Sequence, residues 1–169
     1  MSFFKTFLKI KLLTLCLTNL PVFADTVFTP EKILPEGVDA ALSKNPYTGE
    51  TGYVRKATVA ATLNNIAVLN ELLGTASSTE NLEKNENYVK AIKELLPSLR
   101  VIGVFNLFTP LEWLSAENQP GRVLTVLLYL QRYSDAITPK IKKTLRHLQI
   151  QEKIPYLLEM IKLILKNNE

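Results

Sequence analysis

Cysteine and histidine are nearly absent, with one of each in 169 residues. Cys16 lies in an N-terminal segment that we predict to be removed, so the remaining chain can form no disulfide and offers no thiolate to a metal. His147 stands among Lys140, Lys143 and Arg146, and we predict it to be a surface residue of a basic helix. This composition weighs against zinc, haem and Ser-His-Asp chemistry, and we expect no metal and no other cofactor.

Sequence signatures of several enzyme and ligand-binding classes are missing as well. The chain has no HExxH, GxSxG, P-loop or EF-hand pattern, and it has no Asn-x-Ser/Thr acceptor for N-linked glycans. We therefore assign no catalytic residue, and the sequence favours a non-catalytic protein.

The first 24 residues have the three-part layout of a secretory signal peptide. Three lysines precede an apolar run over residues 12–17, and Pro21 precedes the stretch Val22-Phe23-Ala24, which suits cleavage after Ala24. The run is too short to cross a membrane, which takes about 20 apolar residues. An uncleaved amphipathic helix and lipidation at Cys16 are the alternatives. We expect a periplasmic or secreted protein, and the lysine-rich leader favours a bacterial envelope.

The formal net charge of +4 includes three leader lysines, and removing them lowers it to +1. A general nucleic-acid binder is therefore disfavoured. The remaining charge is uneven, because residues 122–169 carry nine basic and four acidic side chains. This asymmetry leaves an anionic membrane surface as a candidate partner.

Repeated helix-start signals predict an all-α fold. Thr-Pro occurs at residues 29–30, 109–110 and 138–139; the threonine can cap a first turn and the proline fits the first helical position. Glu112 completes a capping box with Thr109, and residues 77–80 form a second one. We predict a single-domain bundle of five to seven helices without disulfides, behind the cleaved leader.

The predicted order has a leader at residues 1–24, an N-terminal extension at 25–52 and a helical core domain at 53–169. The extension holds short helical turns and a Gly/Pro loop at 45–52. A long helix at 53–73, buried on more than one side and stopped by Gly74, opens the core. Pro97 ends or kinks the second helix, and the apolar run at 98–108 fits a helix or a strand, of which we favour the helix. The predicted core helices cover residues 53–73, 77–96, 98–108, 109–115, 118–133, 138–149 and 154–167.

Two groups of charged and polar residues are candidate binding sites. Polar side chains gather around the glycine loop before the first long helix, whose N-terminus could bind an anion; they are Tyr47, Thr48, Glu50, Arg55 and Lys56. A cationic amphipathic helix could contact anionic lipid or an acidic partner, or be a solvated face; its basic residues are Lys140, Lys142, Lys143 and Arg146.

Two further patterns allow a structural and a functional interpretation. The aromatic side chains of Phe105, Phe108 and Trp113 fit a core, and exposed together they would form an apolar binding patch. A polar stripe on the long helix fits interhelical hydrogen bonds, with a small cleft beside Arg55 as the alternative; it consists of Thr58, Thr62 and Asn65.

Taken together, these patterns predict an exported, non-catalytic helical protein that binds a protein partner in the bacterial envelope. A lipid- or membrane-surface-associated helical protein is the first alternative. The second is a small metal-free enzyme of lyase or mutase type, which would hold an anionic substrate with arginine and lysine alone.

Overall fold

The computed structural model describes residues 27–36, 40–75 and 78–168. The predicted leader and Ser77 of the second capping box lie outside these residues. The described residues form nine α-helices, one short 3₁₀ helix and one antiparallel pair of strands. The helices are α1 (Pro30–Ile33), α2 (Thr58–Leu73), α3 (Ser78–Lys84), α4 (Glu86–Val101), α5 (Val104–Leu107), α6 (Pro110–Leu114), α7 (Pro120–Arg132), α8 (Pro139–Gln151) and α9 (Pro155–Lys166).

The predicted all-α class is right only in its coarser form, because the protein is mostly helical but contains a β-hairpin. Strands β1 (Ala40–Lys44) and β2 (Thr51–Arg55) replace part of the predicted helical turns and loop. They also delay the first long helix, which begins at Thr58 after Ala57 in a left-handed conformation (φ 62°), and not at Tyr53. Among the strand residues only Val54 is buried, so the apolar alternation that marks a strand is missing.

The turn of the hairpin is shaped by the buried side chain of Asn45. Its Oδ1 accepts hydrogen bonds from the backbone N–H groups of Tyr47 (2.8 Å) and Thr48 (3.1 Å). Its Nδ2 donates to the carbonyl of Arg100 (2.7 Å) and to Oδ1 of Asn106 (3.1 Å). One carboxamide therefore sets the turn and fastens it to the helical layer.

Most of the predicted helix boundaries after the hairpin are confirmed. The capping box at Thr109 is present, with its N–H donating to Glu112 Oε2 (2.6 Å) and the Glu112 N–H donating to Thr109 Oγ1 (3.4 Å). Thr138 Oγ1 accepts from the N–H of Ile141 (3.2 Å) and caps α8. Residues 98–108 are helical, as predicted, with Gly103 in a left-handed conformation (φ 77°) between α4 and α5.

The predicted helix over residues 77–96 differs from the structure in its middle and at its end. It divides into α3 and α4 at Asn85, whose side chain donates to the carbonyl of Asn81 (2.8 Å) and competes with backbone pairing. Pro97 does not end α4, which continues to Val101. Six helices of the described chain have seven or more residues and three have four or five, so the predicted five to seven counts only the longer ones.

The core is centred on α7, whose packing on α2 requires a glycine. Nine of its residues are buried. A Cβ at Gly121 would lie 2.6 Å from the carbonyl oxygen of Ile66 and 2.9 Å from the backbone nitrogen of Asn70. The Gly121 N–H also donates to Asn70 Oδ1 (2.8 Å). Across the described residues, no helix is both long and apolar enough to cross a membrane.

We predict that Gly121→Ala lowers the free energy of unfolding by about 2 kcal/mol, because the new methyl group must push α7 away from the α2 backbone. Alanine by itself favours the helical state over glycine, so a loss of stability in this variant identifies the clash as its cause. Urea denaturation measures the change. Ala67→Met, on the exposed side of α2, is the control and should change stability by less than about 0.5 kcal/mol. An unchanged or higher midpoint for Gly121→Ala would contradict this packing.

Candidate functional site

The five residues predicted around the glycine loop lie at two ends of one strand. Tyr47, Thr48 and Glu50 belong to the hairpin turn, whereas Arg55 and Lys56 lie at the far end of β2. Arg55 pairs with Glu31 of α1, and Lys56 is exposed. Because α2 begins only at Thr58, the glycine loop does not adjoin a helix N-terminus.

Glu50 contributes to a cluster of charges that we call the Arg100 cluster, formed by Glu50, Arg100, Tyr133 and Asp135. The Arg100 guanidinium donates from Nε to Glu50 (2.7 Å) and from its two terminal nitrogens to Asp135 (3.1 and 2.8 Å). Its carbon lies 4.3 Å from the centre of the Tyr133 ring. These contacts join the hairpin turn, α4 and the 3₁₀ helix (Ser134–Ala136).

The Arg100 cluster changes the protonation of its members in the direction expected for ion pairs. Hydrogen bonds to Asp135 and Glu50 raise the pKa of Arg100 above its ordinary value. The hydrogen bond from Arg100 holds the pKa of Asp135 below its ordinary value. Both edges of the guanidinium and one of its faces are engaged, so the cluster is suited to fastening the hairpin.

The buried polar side chains of α2 form hydrogen bonds with backbone groups of residues 28, 55 and 58, and not with other core helices. Thr58 Oγ1 donates to the carbonyl of Arg55 (2.7 Å), and Thr62 Oγ1 donates to that of Thr58 (2.9 Å). Asn65 exchanges two bonds with the backbone of Phe28, one in each direction (2.9 and 2.8 Å). The predicted interhelical hydrogen bonds are therefore replaced by hydrogen bonds within residues 55–62 and by hydrogen bonds to the residues before α1. Thr58 and Arg55 do line one groove together, between α1, the hairpin and α4.

The basic residues predicted on one helix lie on α8 and are not equally free. Lys140, Lys143 and Arg146 are exposed and have no ion pair among the described residues. Lys142 is half-buried and donates to the carbonyl of Asn168. His147 is exposed on the same helix, as predicted.

The three aromatic residues around Thr109 divide between core and surface. Phe105 and Trp113 are buried, with ring centres 5.6 Å apart in an edge-to-face arrangement. Phe105 also stacks on Tyr129 at 3.9 Å, and burial raises the pKa of the Tyr129 hydroxyl. Phe108 is 53% exposed, so the expected core position is confirmed for two of the three.

Phe108 forms part of a concave surface that we call the α2–α6 groove, with a volume of about 280 Å³. Large exposed apolar side chains line the groove or stand beside it in the chain. Val59 and Leu63 of α2 and Phe108 after α5 line it, and Leu107 directly precedes Phe108. Val59 and Leu63 share the helical spacing of the buried Ile66, Leu69 and Leu73, yet both are exposed. Polar residues occupy the inward face of α2 at Thr58, Thr62 and Asn65. The groove is lined by Val59, Thr62, Leu63, Leu99, Val104, Phe108, Trp113 and Arg122.

Two hydrogen-bond donors of the α2–α6 groove are unused. Within the described part of the chain, the half-buried Arg122 has neither an ion pair nor a side-chain hydrogen bond. The indole N–H of Trp113 has no acceptor there either, although the residue is only 6% exposed. No fully buried side-chain nitrogen or oxygen of the described residues lacks a partner, so the indole nitrogen is open to solvent. An apolar ligand with an acceptor group fits these properties.

Sequence reasoning singled out Phe108 and Trp113 as aromatic residues and Thr62 as part of the polar stripe, but it missed the other residues of the α2–α6 groove. Arg122 follows Pro120 at the start of a predicted helix, and nothing in its sequence neighbourhood indicates that it lacks a counter-ion. The polar stripe and the apolar positions Val59 and Leu63 cannot all face the core of one helix, but the sequence does not decide which set is turned outward.

We predict that Asp135→Asn destabilises the protein by about 1 kcal/mol or less at pH 7, because the ion pair is largely solvated. The pKa of Asp135 is lowered in the folded state, so its stabilising effect is present above the ordinary pKa and is lost as the pH falls below about 4. Urea midpoints of the wild type and Asp135→Asn should therefore keep their separation above about pH 5 and draw together as the pH falls below about 4. Glu117→Gln, which removes an exposed carboxylate outside the Arg100 cluster, should lie on the wild-type curve throughout. A gap that stays constant over this range would contradict the ion pair.

A scan of protein-family models matches residues 48–133 to the family described as "Domain of unknown function (DUF7709)". No curated protein and no solved structure matches the chain. The matched range begins in the hairpin turn and ends after α7, so it contains the Arg100–Glu50 contact and every lining residue of the α2–α6 groove. The match covers half of the chain, and the protein therefore belongs to this family.

Proposed function

We propose that this protein is an exported, non-catalytic interaction module of the bacterial envelope, and that it docks a partner protein in the α2–α6 groove. The observation that carries the proposal is the apolar rim of the groove. Three large apolar side chains of its lining, Val59, Leu63 and Phe108, are exposed, and Leu107 directly before Phe108 is exposed as well. Exposed apolar surface that is contiguous and concave is typical of binding sites.

The residue types of the α2–α6 groove support a protein partner. Tryptophan and arginine are the residues that most often dominate binding energy in interfaces, and Trp113 and Arg122 lie here together. Full burial of a leucine or phenylalanine contributes about 1.5–3 kcal/mol, and Leu63 and Phe108, which are half exposed, could each contribute about half of this to the affinity.

The arrangement of the arginines argues against the metal-free enzyme. Such an enzyme needs several cations converging on one cleft. Arg55 pairs with α1, Arg100 lies in the Arg100 cluster, Arg122 lies in the α2–α6 groove and Arg146 is exposed on α8. Only Arg132 shares a neighbour with another arginine, since Tyr133 contacts both it and Arg100.

We predict that a photo-crosslinking amino acid at Phe108 gives one adduct of defined mass in the cells that produce the protein, and that Leu63→Asp abolishes it. Leu63 is half-exposed, so its substitution should lower the free energy of unfolding by only about 1 kcal/mol, and thermal unfolding shows that the variant is folded. Gel shift and mass spectrometry measure the adduct. Mass spectrometry of the same material also tests export, because the mature chain should begin at Asp25.

The matched control carries the crosslinker at Ile150, which is 85% exposed and lies on α8, away from the α2–α6 groove. It should not give the same adduct. Equal adducts from both positions, or an adduct that persists in Leu63→Asp, would count against docking in this groove.

A second candidate function is attachment to an anionic membrane surface through α8. It is favoured by the three exposed, unpaired cations Lys140, Lys143 and Arg146, and by the protruding Ile150 at the end of the same helix.

We predict for this candidate that the protein sediments with phosphatidylglycerol vesicles in 20 mM salt and is released in 500 mM salt, because surface attraction is screened. Substituting Lys140, Lys143 and Arg146 with glutamine should remove this binding, while Leu63→Asp should retain it. Failure to sediment at low salt would exclude this candidate.

A further inference from the structure

We infer that the α2–α6 groove selects a partner segment that carries a carboxylate beside its apolar anchor residue. This inference rests on the proposed function and adds the chemistry of the partner. It is argued from the two unused donors of the groove, which a purely apolar segment could not satisfy.

Arg122 is the first argument, because a docked segment would take its guanidinium out of water. The side chain is already half-buried and has no acidic neighbour among the described residues. Glu112, the acidic residue of α6, is engaged with Thr109 at the helix start. A charge that is covered without a counter-ion is strongly unfavourable, so a partner that closes the groove must bring an acceptor of negative charge.

Trp113 is the second argument, because this residue lines the same groove and its indole N–H also lacks an acceptor in the described chain. A carboxylate has two oxygens and about four acceptor positions. It can therefore pair with the guanidinium and accept from the indole at the same time, whereas a backbone carbonyl would leave the guanidinium without a counter-ion.

The size of the groove limits the occupant to one or two side chains. Its volume of about 280 Å³ is at the lower end of the range for small-molecule sites. Val59, Leu63 and Phe108 around it can cover a single aromatic or aliphatic side chain, with Arg122 in the same lining. The occupant is therefore a short segment in which an apolar and an acidic residue are neighbours.

A second copy of this chain is a poorer occupant. Its most exposed apolar side chain, Ile150, is followed by Glu152, but the Glu152 carboxylate already accepts from the N–H groups of Lys153 and Ile154 (both 2.8 Å). Docking of this segment in the groove of another copy would therefore compete with the hydrogen bonds that Glu152 makes before α9.

The test is a selection of random twelve-residue peptides, displayed on phage, against the purified full-length chain. We expect the selected peptides to combine a leucine, isoleucine, phenylalanine or tryptophan with a neighbouring aspartate or glutamate. Arg122→Glu should shift the selection to lysine and arginine at the second position. Arg146→Glu is the matched control on α8 and should select the same peptides as the wild type.

Affinities of one selected peptide provide a second measurement that does not depend on a charge reversal. Replacing its acidic residue by the corresponding amide should weaken binding to the wild type by about tenfold or more. The acidic and amide peptides should bind Arg122→Gln equally. Thermal unfolding of each variant shows whether it is folded.

The outcomes separate the two claims. Selected apolar peptides without an acidic residue, bound equally by the wild type and Arg122→Gln but not by Leu63→Asp, would overturn this inference and leave the proposed function standing. A selection that is unchanged in Leu63→Asp would overturn both. Binding of sodium laurate in the groove with no peptide selected, or self-association lost in Leu63→Asp, would also overturn the commitment to an acidic peptide segment.

Discussion

The close contact between α2 and α7 at Gly121 is the constraint on which the rest of the structure depends. Because no side chain separates the two backbones there, the helices approach more closely than leucine-rich surfaces permit. The buried residues of α7 then reach neighbours on all sides. The same approach brings Arg122, the next residue, to the groove in which Val59 and Leu63 of α2 lie. Packing in the core and the composition of the candidate site thus share one cause.

Helices whose starts depend on local chemistry were predictable from the sequence. The Thr-Pro pairs at Thr109 and Thr138 start helices for a local reason. The threonine hydroxyl accepts a hydrogen bond from an N–H of the first turn, and the proline has no N–H that would need a partner. The hairpin was not predictable in the same way. Its strands bury almost nothing of their own, and its turn is held by Asn45 through partners more than fifty residues away. Long-range hydrogen bonds of this kind leave no periodic pattern in the sequence.

The candidate site was predictable only in part, for a related reason. Aromatic residues near Thr109 could be singled out as core or patch, and Phe108 proved to be exposed. The inverted face of α2 could not be foreseen from spacing, because Val59 and Leu63 recur at the same interval as the buried Ile66 and Leu73. The choice between the two faces is decided by Asn65, whose carboxamide needs the backbone of Phe28. That partner precedes Asn65 by 37 residues in the chain.

The bond pair between Asn65 and Phe28 has a consequence for where this folding unit starts. Asn65 is completely enclosed, and removal of residues 27–29 would leave its carboxamide without either partner, at a cost of about 1–3 kcal/mol for each group. At the other end, α9 covers α7 and α8 with fully enclosed side chains such as Leu157 and Ile161. The cooperative folding unit therefore extends well beyond residues 48–133 on both sides. A fragment consisting of residues 48–133 alone would expose the side of α7 that α9 covers.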